Sequence, residues 1–353
     1  MHNDAIIPFF SSGLQSESWQ KQLTQGIKSK KQLLDYLELE NSSIYAEIDA
    51  SELFPTVVPL TFANKIKKTT PDDPLLLQVL ASEREFIQAE GFVEDPLSEQ
   101  TPQQNSSLHP LLHKYESRVL IVLTAACAIN CRYCFRRHFP YRDYIPGQKG
   151  IDNIIHYLHK HPSVNEVILS GGEPLLVDDH YLSGLLKALC QQTEISRIRI
   201  HSRMLSVLPA RITPTLHQLF ATLPVPVILV THINHGQEID AELIKKFKEL
   251  KSSNLTLLNQ SVLLKDINDK SEVLVELSES LFKAGILPYY LHQLDAVAGA
   301  AHFNVTDSKA RKLLKIMLEK LPGFLVPKLV REVSGFSSKI PLDLGIEPQN
   351  IKN

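Results

Sequence analysis

The stretch Arg118-Val-Leu-Ile-Val-Leu-Thr-Ala-Ala-Cys127-Ala-Ile-Asn-Cys131-Arg-Tyr-Cys134 decides the fold of this 353-residue chain. It opens with an apolar, β-branched run, which predicts a buried strand. Three of the chain's four cysteines follow within eight residues. Thiolates hold iron–sulfur clusters, and a cubane normally takes four of them, one per iron. The stretch therefore predicts a strand that leads into a cluster-binding loop, in which Cys127, Cys131 and Cys134 leave one iron open.

The alternatives for these cysteines fit the sequence less well. A disulfide is disfavoured because the chain has no secretory signal and too few cysteines for a stapled scaffold. A structural zinc site usually pairs two short knuckles. No second knuckle is present, although His138 follows Cys134 at a ligand spacing and keeps zinc open. Cys190 lies in an apolar, helix-like run and is interpreted as an ordinary buried cysteine.

From residue 119 to 291, apolar strand-like runs alternate with amphipathic helical runs, which is typical of βαβ units. The predicted strands are Val119–Thr124, Glu166–Ser170, Arg197–His201, Val225–Thr231, Leu255–Gln260 and Leu287–Leu291. The predicted helices between them are Ile151–His161, Tyr181–Gln191, Pro214–Leu223, Ile239–Lys251 and Glu272–Ala284. Six such strands predict an α/β fold, a partial (β/α)6 TIM-like barrel whose active face lies at the carboxyl ends of the strands.

We divide the chain into three parts. Residues 1–110 are predicted to form a mostly helical extension, residues 111–305 the barrel, and residues 306–353 a short C-terminal segment with a helix at Ser308–Lys320. No run of about eighteen apolar residues is present, which excludes a transmembrane helix. Scarce cysteine and the lack of a signal peptide favour the cytoplasm.

The charge of the chain limits its partners. With 37 basic and 39 acidic residues the net charge is −2, which gives no overall attraction to nucleic acid or to an anionic membrane. Basic and aromatic residues nevertheless crowd the cysteine loop, among them Arg132, Tyr133, Arg136, Arg137 and His138. They are compatible with a solvated face, a phosphate site or a clamp for a small carboxylate, and they keep an RNA-modifying enzyme open.

The motif Ser170-Gly171-Gly172-Glu173-Pro174 directly follows the second predicted strand. Adjacent glycines let the backbone approach a ligand closely, although Gly-Gly alone more often forms a simple turn. A Cys-x3-Cys-x2-Cys loop after the first strand, followed by Gly-Gly-Glu after the second, resembles the radical S-adenosylmethionine (SAM) superfamily. The resemblance implies that the open iron binds SAM and that Ser170, Gly171, Gly172 and Glu173 contact it.

Polar residues follow the later strands as well. Ser202-Arg203 follows the third strand, Thr231-His232-Ile233-Asn234-His235 ends the fourth, Asn259–Leu264 ends the fifth and Asp295 follows the sixth. They predict a ring of polar groups around one mouth of the barrel. Together with the motifs above and with Phe54-Pro55 in the extension, they make nearly the whole chain similar to the lysine 2,3-aminomutase family, and especially to its short members that serve elongation factor P.

This resemblance implies an isomerase that converts L-α-lysine into β-lysine by radical 1,2-amino migration. It implies a [4Fe-4S] cluster, SAM and pyridoxal 5′-phosphate (PLP) as cofactors. It further implies that Lys339 is the catalytic lysine that holds PLP covalently and that Arg118 and Lys114 bind the PLP phosphate. His232 and Gln260 match residues that contact SAM.

The substrate residues are carried over in the same way. Arg136 matches the arginine that binds the lysine carboxylate, a task suited to a planar guanidinium group. Asp295 matches one of two carboxylates that pair with the side-chain ammonium of the substrate. Glu332 stands where relatives have the second of these, an aspartate, and Val333–Ser338 replaces their glycine-rich run before the lysine.

The resemblance also implies an external electron donor of flavodoxin or ferredoxin type and a ligase that attaches the β-lysine to elongation factor P. It leaves homo-oligomers open, and neither nucleic acid nor a membrane is expected as a partner. Three alternatives stay open: a 2,3-aminomutase for another amino acid or for β-lysine as an osmolyte, a metal-stabilised nucleic-acid-binding protein, and a catalytically inactive relative.

Overall fold

The sheet organises the molecule. The structure is a computed structural model that describes residues 18–100, 111–141 and 150–345. Within these residues one sheet contains the strands β1 (Leu111–Tyr115), β2 (Arg118–Val122), β3 (Glu166–Ser170), β4 (Arg197–Ser202), β5 (Val227–Thr231), β6 (Leu255–Val262), β7 (Leu287–His292), β8 (Lys328–Arg331) and β9 (Ile340–Pro341). Strands that are consecutive in the chain are neighbours in the sheet. Strands β2 to β8 are parallel, whereas β1 and β9 are antiparallel to β2 and β8.

Helices connect the parallel strands and pack on the sheet. They are α6 (Gly150–Lys160), α7 (Asp179–Gln192), α8 (Met204–Val207), α9 (Pro214–Thr222), α10 (Ala241–Leu250), α11 (Ser271–Lys283) and α12 (Asp307–Lys320). Side chains of Asp178, Thr213, Asp240 and Thr306 cap the N-termini of α7, α9, α10 and α12, because the first N–H groups of a helix need acceptors. None of the helices in the described ranges is long and apolar enough to cross a membrane.

The partial barrel is confirmed, and each predicted strand and helix of the repeat is present with its ends moved by at most two residues. The sheet has one more parallel strand than predicted, because β8 pairs with β7. This strand has four residues, too few for a period-two pattern to stand out from an extended segment. It lies beyond the predicted boundary at residue 305, and the division into three parts stays a prediction.

The N-terminal part covers the barrel with short helices. They are α1 (Ser18–Thr24), α2 (Lys30–Tyr36), α3 (Ser43–Ala46), α4 (Leu60–Ala63) and α5 (Pro74–Leu77). Trp19, Phe62 and Leu75 are buried in the same apolar cluster as Val119 of β2. This packing joins the N-terminal part and the barrel in one apolar core.

Candidate active site

The inward side chains of the sheet surround a cavity of about 650 Å³, whereas a closed barrel is usually filled with apolar layers. All the residues predicted for the site line this one cavity: Lys114, Arg118, Cys127, Cys131, Cys134, Arg136, Ser170, Gly171, Gly172, Glu173, His232, Gln260, Asp295, Glu332 and Lys339. Cys190 is on α7 and is only partly buried, not fully buried as expected; it packs against the apolar core and is not part of this lining. The structure thus brings together residues that are spread over more than two hundred positions of the chain.

The cysteine loop is fixed by the N-terminal part. The backbone N–H of Asn130 donates to the carbonyl of Val57 over 3.0 Å, and that of Arg132 donates to the carbonyl of Gln78 over 2.9 Å. The guanidinium groups of Arg132 and Arg137 both donate to the buried carboxylate of Glu85, at 2.6 and 2.5 Å. These two arginines are therefore structural, and because they are buried they are not part of an exposed basic face of the kind that a nucleic-acid-binding protein uses.

The Gly-Gly-Glu motif fits closely against this loop. Gly171 has a φ of +113°, which a side chain rarely allows. A Cβ on Gly172 would lie 2.3 Å from the carbonyl oxygen of Ala126. The carboxylate of Glu173 accepts backbone N–H groups of Arg203 and Met204 at 2.9 and 3.0 Å. Glu173 thereby ties β3 to the end of β4, and its predicted contact with SAM stays a prediction.

A buried hydrogen-bond network lies behind the cysteines and sets the tautomer of His232. The hydroxyl of Tyr133 accepts hydrogens from Arg203 Nη1 and from Asn234 Nδ2, the latter over 2.6 Å. Its own proton then goes to His232 Nε2 at 2.9 Å, in preference to the amide oxygen of Gln78 at 3.3 Å. Burial lowers the pKa of His232 well below its ordinary value. His232 is accordingly neutral and carries its proton on Nδ1.

The lysine group, defined as Tyr115, Asp295, Glu332 and Lys339, lies at the open edges of the sheet. The ammonium of Lys339 pairs with the carboxylate of Glu332, which also accepts the hydroxyl of Tyr115 over 2.7 Å. Burial raises the pKa of Asp295 to about 7, although the positive charge of Lys339 opposes the rise. The side-chain ammonium of Lys339 therefore already pairs with Glu332, which is one of the two carboxylates predicted to bind the ammonium of the substrate.

Arg136 has a partner that sequence reasoning missed. Glu99 accepts Arg136 Nε at 2.6 Å and Nη2 at 3.1 Å, and Lys114 Nζ lies 2.8 Å from the same carboxylate. Burial alone would raise the pKa of Glu99, but Arg136 and Lys114 outweigh it and lower the value to about 2. Glu99 lies inside the polar stretch of residues 98–107, which by composition alone predicts a linker or a loop, and no local pattern marks Glu99 as part of the site.

Two further inward residues were missed, although β4 carries a signal for them. Its sequence Arg197-Ile198-Arg199-Ile200-His201 alternates polar and apolar residues, and the isoleucines are fully buried in the core. Arg199 and His201 therefore face the cavity that they line, and Arg199 pairs with Glu166 of β3. A period-two pattern with the polar face inward marks a lumen that holds ligands.

Comparisons with known proteins agree with this geometry. The family model of the Radical SAM superfamily matches residues 121–277. The L-lysine 2,3-aminomutase of Escherichia coli (strain K12) is 45% identical over 334 residues, which cover 94% of this chain and 96% of that protein. This chain belongs to the lysine 2,3-aminomutase family. The enzymes of the same name from Haemophilus influenzae and Clostridium subterminale are 44% and 33% identical, over 92% of this chain in each case and over 95% and 77% of their own lengths.

As a member of this family, the chain uses a [4Fe-4S] cluster, SAM and PLP, and the thiols fit the cluster. Cys127, Cys131 and Cys134 are free thiols. Burial raises the pKa of Cys127 well above its ordinary value and that of Cys134 to about 11, so their thiolates need a cationic partner such as iron. Among the described residues no three His, Cys, Asp or Glu side chains converge on one ion position. A cubane takes one thiolate per iron, and the three cysteines of this loop can supply three of these thiolates.

The other two cofactors also have fitting residues in the cavity. Gly172 packs against Ala126 of the cysteine loop with no room for a Cβ, which holds the Gly-Gly-Glu motif beside the cysteines in the cavity lining. The ring Nε2 atoms of His201 and His292, both in the cavity lining, have no hydrogen-bond partner among the described residues. Lys339 supplies the primary amine that PLP requires, and Arg118 supplies a guanidinium group suited to a phosphate.

Proposed function

We propose that this chain is an isomerase that converts L-α-lysine into β-lysine by 1,2-amino migration. The observation that carries the proposal is the pairing of an alkylammonium with Glu332 beside Asp295, in the same cavity as Arg136 and the three cysteines. A long cationic amino acid has a carboxylate for Arg136 and an ammonium for the two acidic residues. The cavity therefore complements both charged groups of lysine.

The residues of this chain bind and orient the substrate. Arg136 receives the carboxylate with a planar guanidinium that Glu99 and the neighbouring aromatic rings of Phe135 and Phe139 hold in place. Glu332 and Asp295 receive the distal ammonium, and an amino acid that lacks it would leave buried charges unpaired. This requirement for both charges selects lysine over smaller or uncharged amino acids.

The other proposed roles concern cofactors. Cys127, Cys131 and Cys134 hold the cluster, while Ser170, Gly171, Gly172, Glu173, His232 and Gln260 hold SAM. Lys339 holds PLP, with Arg118 and Lys114 at its phosphate. When bound, these groups supply the hydrogen abstraction and the amino migration, and the protein supplies position and charge pairing. The neutral His232 carries its proton on Nδ1, which leaves this N–H as the donor with which we propose it holds SAM.

We further propose a setting for the reaction. A flavodoxin or ferredoxin provides the electron, the β-lysine passes to a ligase that modifies elongation factor P, and the chain works in the cytoplasm. The similarity to the short relatives supports these proposals, because the Escherichia coli enzyme is matched over nearly its full length. The four thiols, which are free in the structure, suit a reducing compartment.

The test is an anaerobic reconstitution with iron, sulfide and PLP. We expect iron–sulfur absorbance and an imine absorbance of PLP that borohydride removes as it attaches PLP permanently to Lys339. We also expect β-lysine as the product from L-lysine, SAM and dithionite. Norleucine, which lacks the distal ammonium, should neither react nor compete. A protein that binds zinc and RNA, or that turns over another amino acid faster than lysine, would contradict the proposal.

A further inference from the structure

Arg203, whose Nη1 also donates to the hydroxyl of Tyr133, reaches the sulfur of a cysteine. It follows β4, and its backbone N–H is held by Glu173 over 2.9 Å. Its Nη1 donates to the sulfur of Cys131 over 2.7 Å, and its Nη2 donates to the amide oxygen of Gln78 over 2.8 Å. The Gly-Gly-Glu motif thus fixes the backbone from which this guanidinium extends to the cysteine loop.

The partners of Arg203 differ from those of the purely structural arginines. The side chains of Arg132 and Arg211 are fully buried, and each has a carboxylate oxygen 2.6 Å away. The side chain of Arg203 is only 7% exposed, yet its nearest carboxylate, that of Glu238, lies 3.6 Å away, which is too far for a hydrogen bond. A buried charge needs close partners of opposite sign, and Cys131, as a thiolate ligand of the cluster, would be one within hydrogen-bond distance.

We propose that Arg203 is a positioning residue that acts through Cys131 to raise the reduction potential of the iron–sulfur cluster. The inference rests on the proposed cluster at Cys127, Cys131 and Cys134. Reduction transfers one electron from the donor to the cluster and makes no bond in the protein. Hydrogen bonds to the sulfurs and nearby charge set cluster potentials. A buried cation on one ligand sulfur favours the reduced, more negative state, since screening by water is weak there.

The negative charge of Glu238 should affect the reduction potential in the opposite direction to the positive charge of Arg203. Its Oε2 atom has no hydrogen-bond partner within the part of the chain that the structure describes and faces Arg203 Nη2, while its Oε1 atom accepts the N–H of Asn234 over 2.9 Å. The carboxylate partly offsets the positive charge of Arg203. Removal of the arginine charge should therefore lower the potential, and removal of the glutamate charge should raise it.

The experiment is a redox titration of the reconstituted, full-length protein with dithionite, followed by electron paramagnetic resonance. Arg203→Gln should lower the equilibrium constant for cluster reduction about tenfold, which corresponds to a fall in reduction potential of about 59 mV for a one-electron couple. Arg203→Lys keeps the charge and should lie between that variant and the unmodified chain. Arg211→Gln is the matched control, because it removes a buried arginine that does not contact the cysteines; it should lower the melting temperature and leave the potential unchanged.

The outcomes separate this inference from the proposed function. An unmodified chain that binds iron and shows the cluster signal supports the cluster, and an unchanged potential in Arg203→Gln then overturns the role of Arg203 alone. An unmodified chain without the signal overturns both. Should Arg203→Gln not assemble a cluster, Glu238→Gln decides the question: a rise in potential supports the inference, and no change or a fall overturns it.

Discussion

The cysteine loop and the lysine group form two parts of one cavity in different ways. The loop is a short, continuous segment that buried ion pairs with Glu85 hold on the N-terminal part. The lysine group comes from β1, from the segment after β7 and from the connection between β8 and β9, and Glu332 contacts both Tyr115 and Lys339. A site for an inorganic cluster can be encoded locally, whereas a site for an extended substrate needs distant segments.

Loss of any one thiol should have the largest effect and should spare the lysine group. Cys127→Ala, Cys131→Ala and Cys134→Ala should each lose most of the iron and all detectable turnover, since three ligands already leave one iron open. PLP should still bind. Iron and PLP content, measured on the same preparation, check this. Cys190→Ala is the control, and full iron in Cys134→Ala would contradict the assignment.

Removal of the Lys339 amine should affect only the lysine group and leave the cysteine loop intact. Lys339→Ala should abolish turnover, and borohydride should no longer attach PLP to the protein, because no other amine is proposed to hold PLP. The cluster absorbance should persist. Lys328→Ala, on the adjacent strand β8 but exposed, should behave like the unmodified chain. PLP still fixed covalently in Lys339→Ala would move the role to another lysine.

Breaking the support of the cysteine loop tests how that loop is held. Glu85→Gln leaves two buried guanidinium groups without their carboxylate, which should lower the free energy of unfolding by about 3–5 kcal/mol. Iron retention should fall with it. Urea unfolding and iron content measure both effects. Glu249→Gln, which removes an exposed pair with Lys246, should leave the unfolding midpoint unchanged; equal losses in the two variants would refute the structural role of Glu85.

The same contrast explains what the sequence could predict. The strand rhythm and the cysteine spacing are local, so the partial barrel was predictable from the residues alone, and the resemblance to a family supplied the remaining site positions. Glu99 and β8 were not predictable from local pattern. Glu99 acquires its role only from contact with Arg136 and Lys114, and β8 becomes a strand by pairing with β7. Both depend on segments far away in the chain.

Glu332 should matter for substrate selection more than for the cluster. Glu332→Gln removes the charge that pairs with an ammonium, and the loss of one partner of a partly buried charge pair costs about 2–5 kcal/mol. We expect kcat/KM for lysine to fall about 30-fold or more at unchanged iron content. Steady-state kinetics check this, with Glu319→Gln on α12 as the control. A larger loss of iron than of lysine affinity would contradict the division of the cavity.

The smallest effect concerns pH and sharpens the role of Asp295. Its pKa is about 7 because of burial, so the ionised form that can pair with an ammonium is lost as the pH falls through about 7. The pH dependence of kcat/KM reports groups of the free enzyme. We expect kcat/KM for lysine to fall about tenfold per pH unit below that value and to level off above it. Asp295→Asn should remove this limb. Glu332→Gln should keep it but move it to lower pH, because Glu332 itself has a lowered pKa and its negative charge helps to raise the pKa of Asp295. A limb that survives in Asp295→Asn would assign the titration to another group and would leave Glu332 as the proposed ammonium-binding carboxylate.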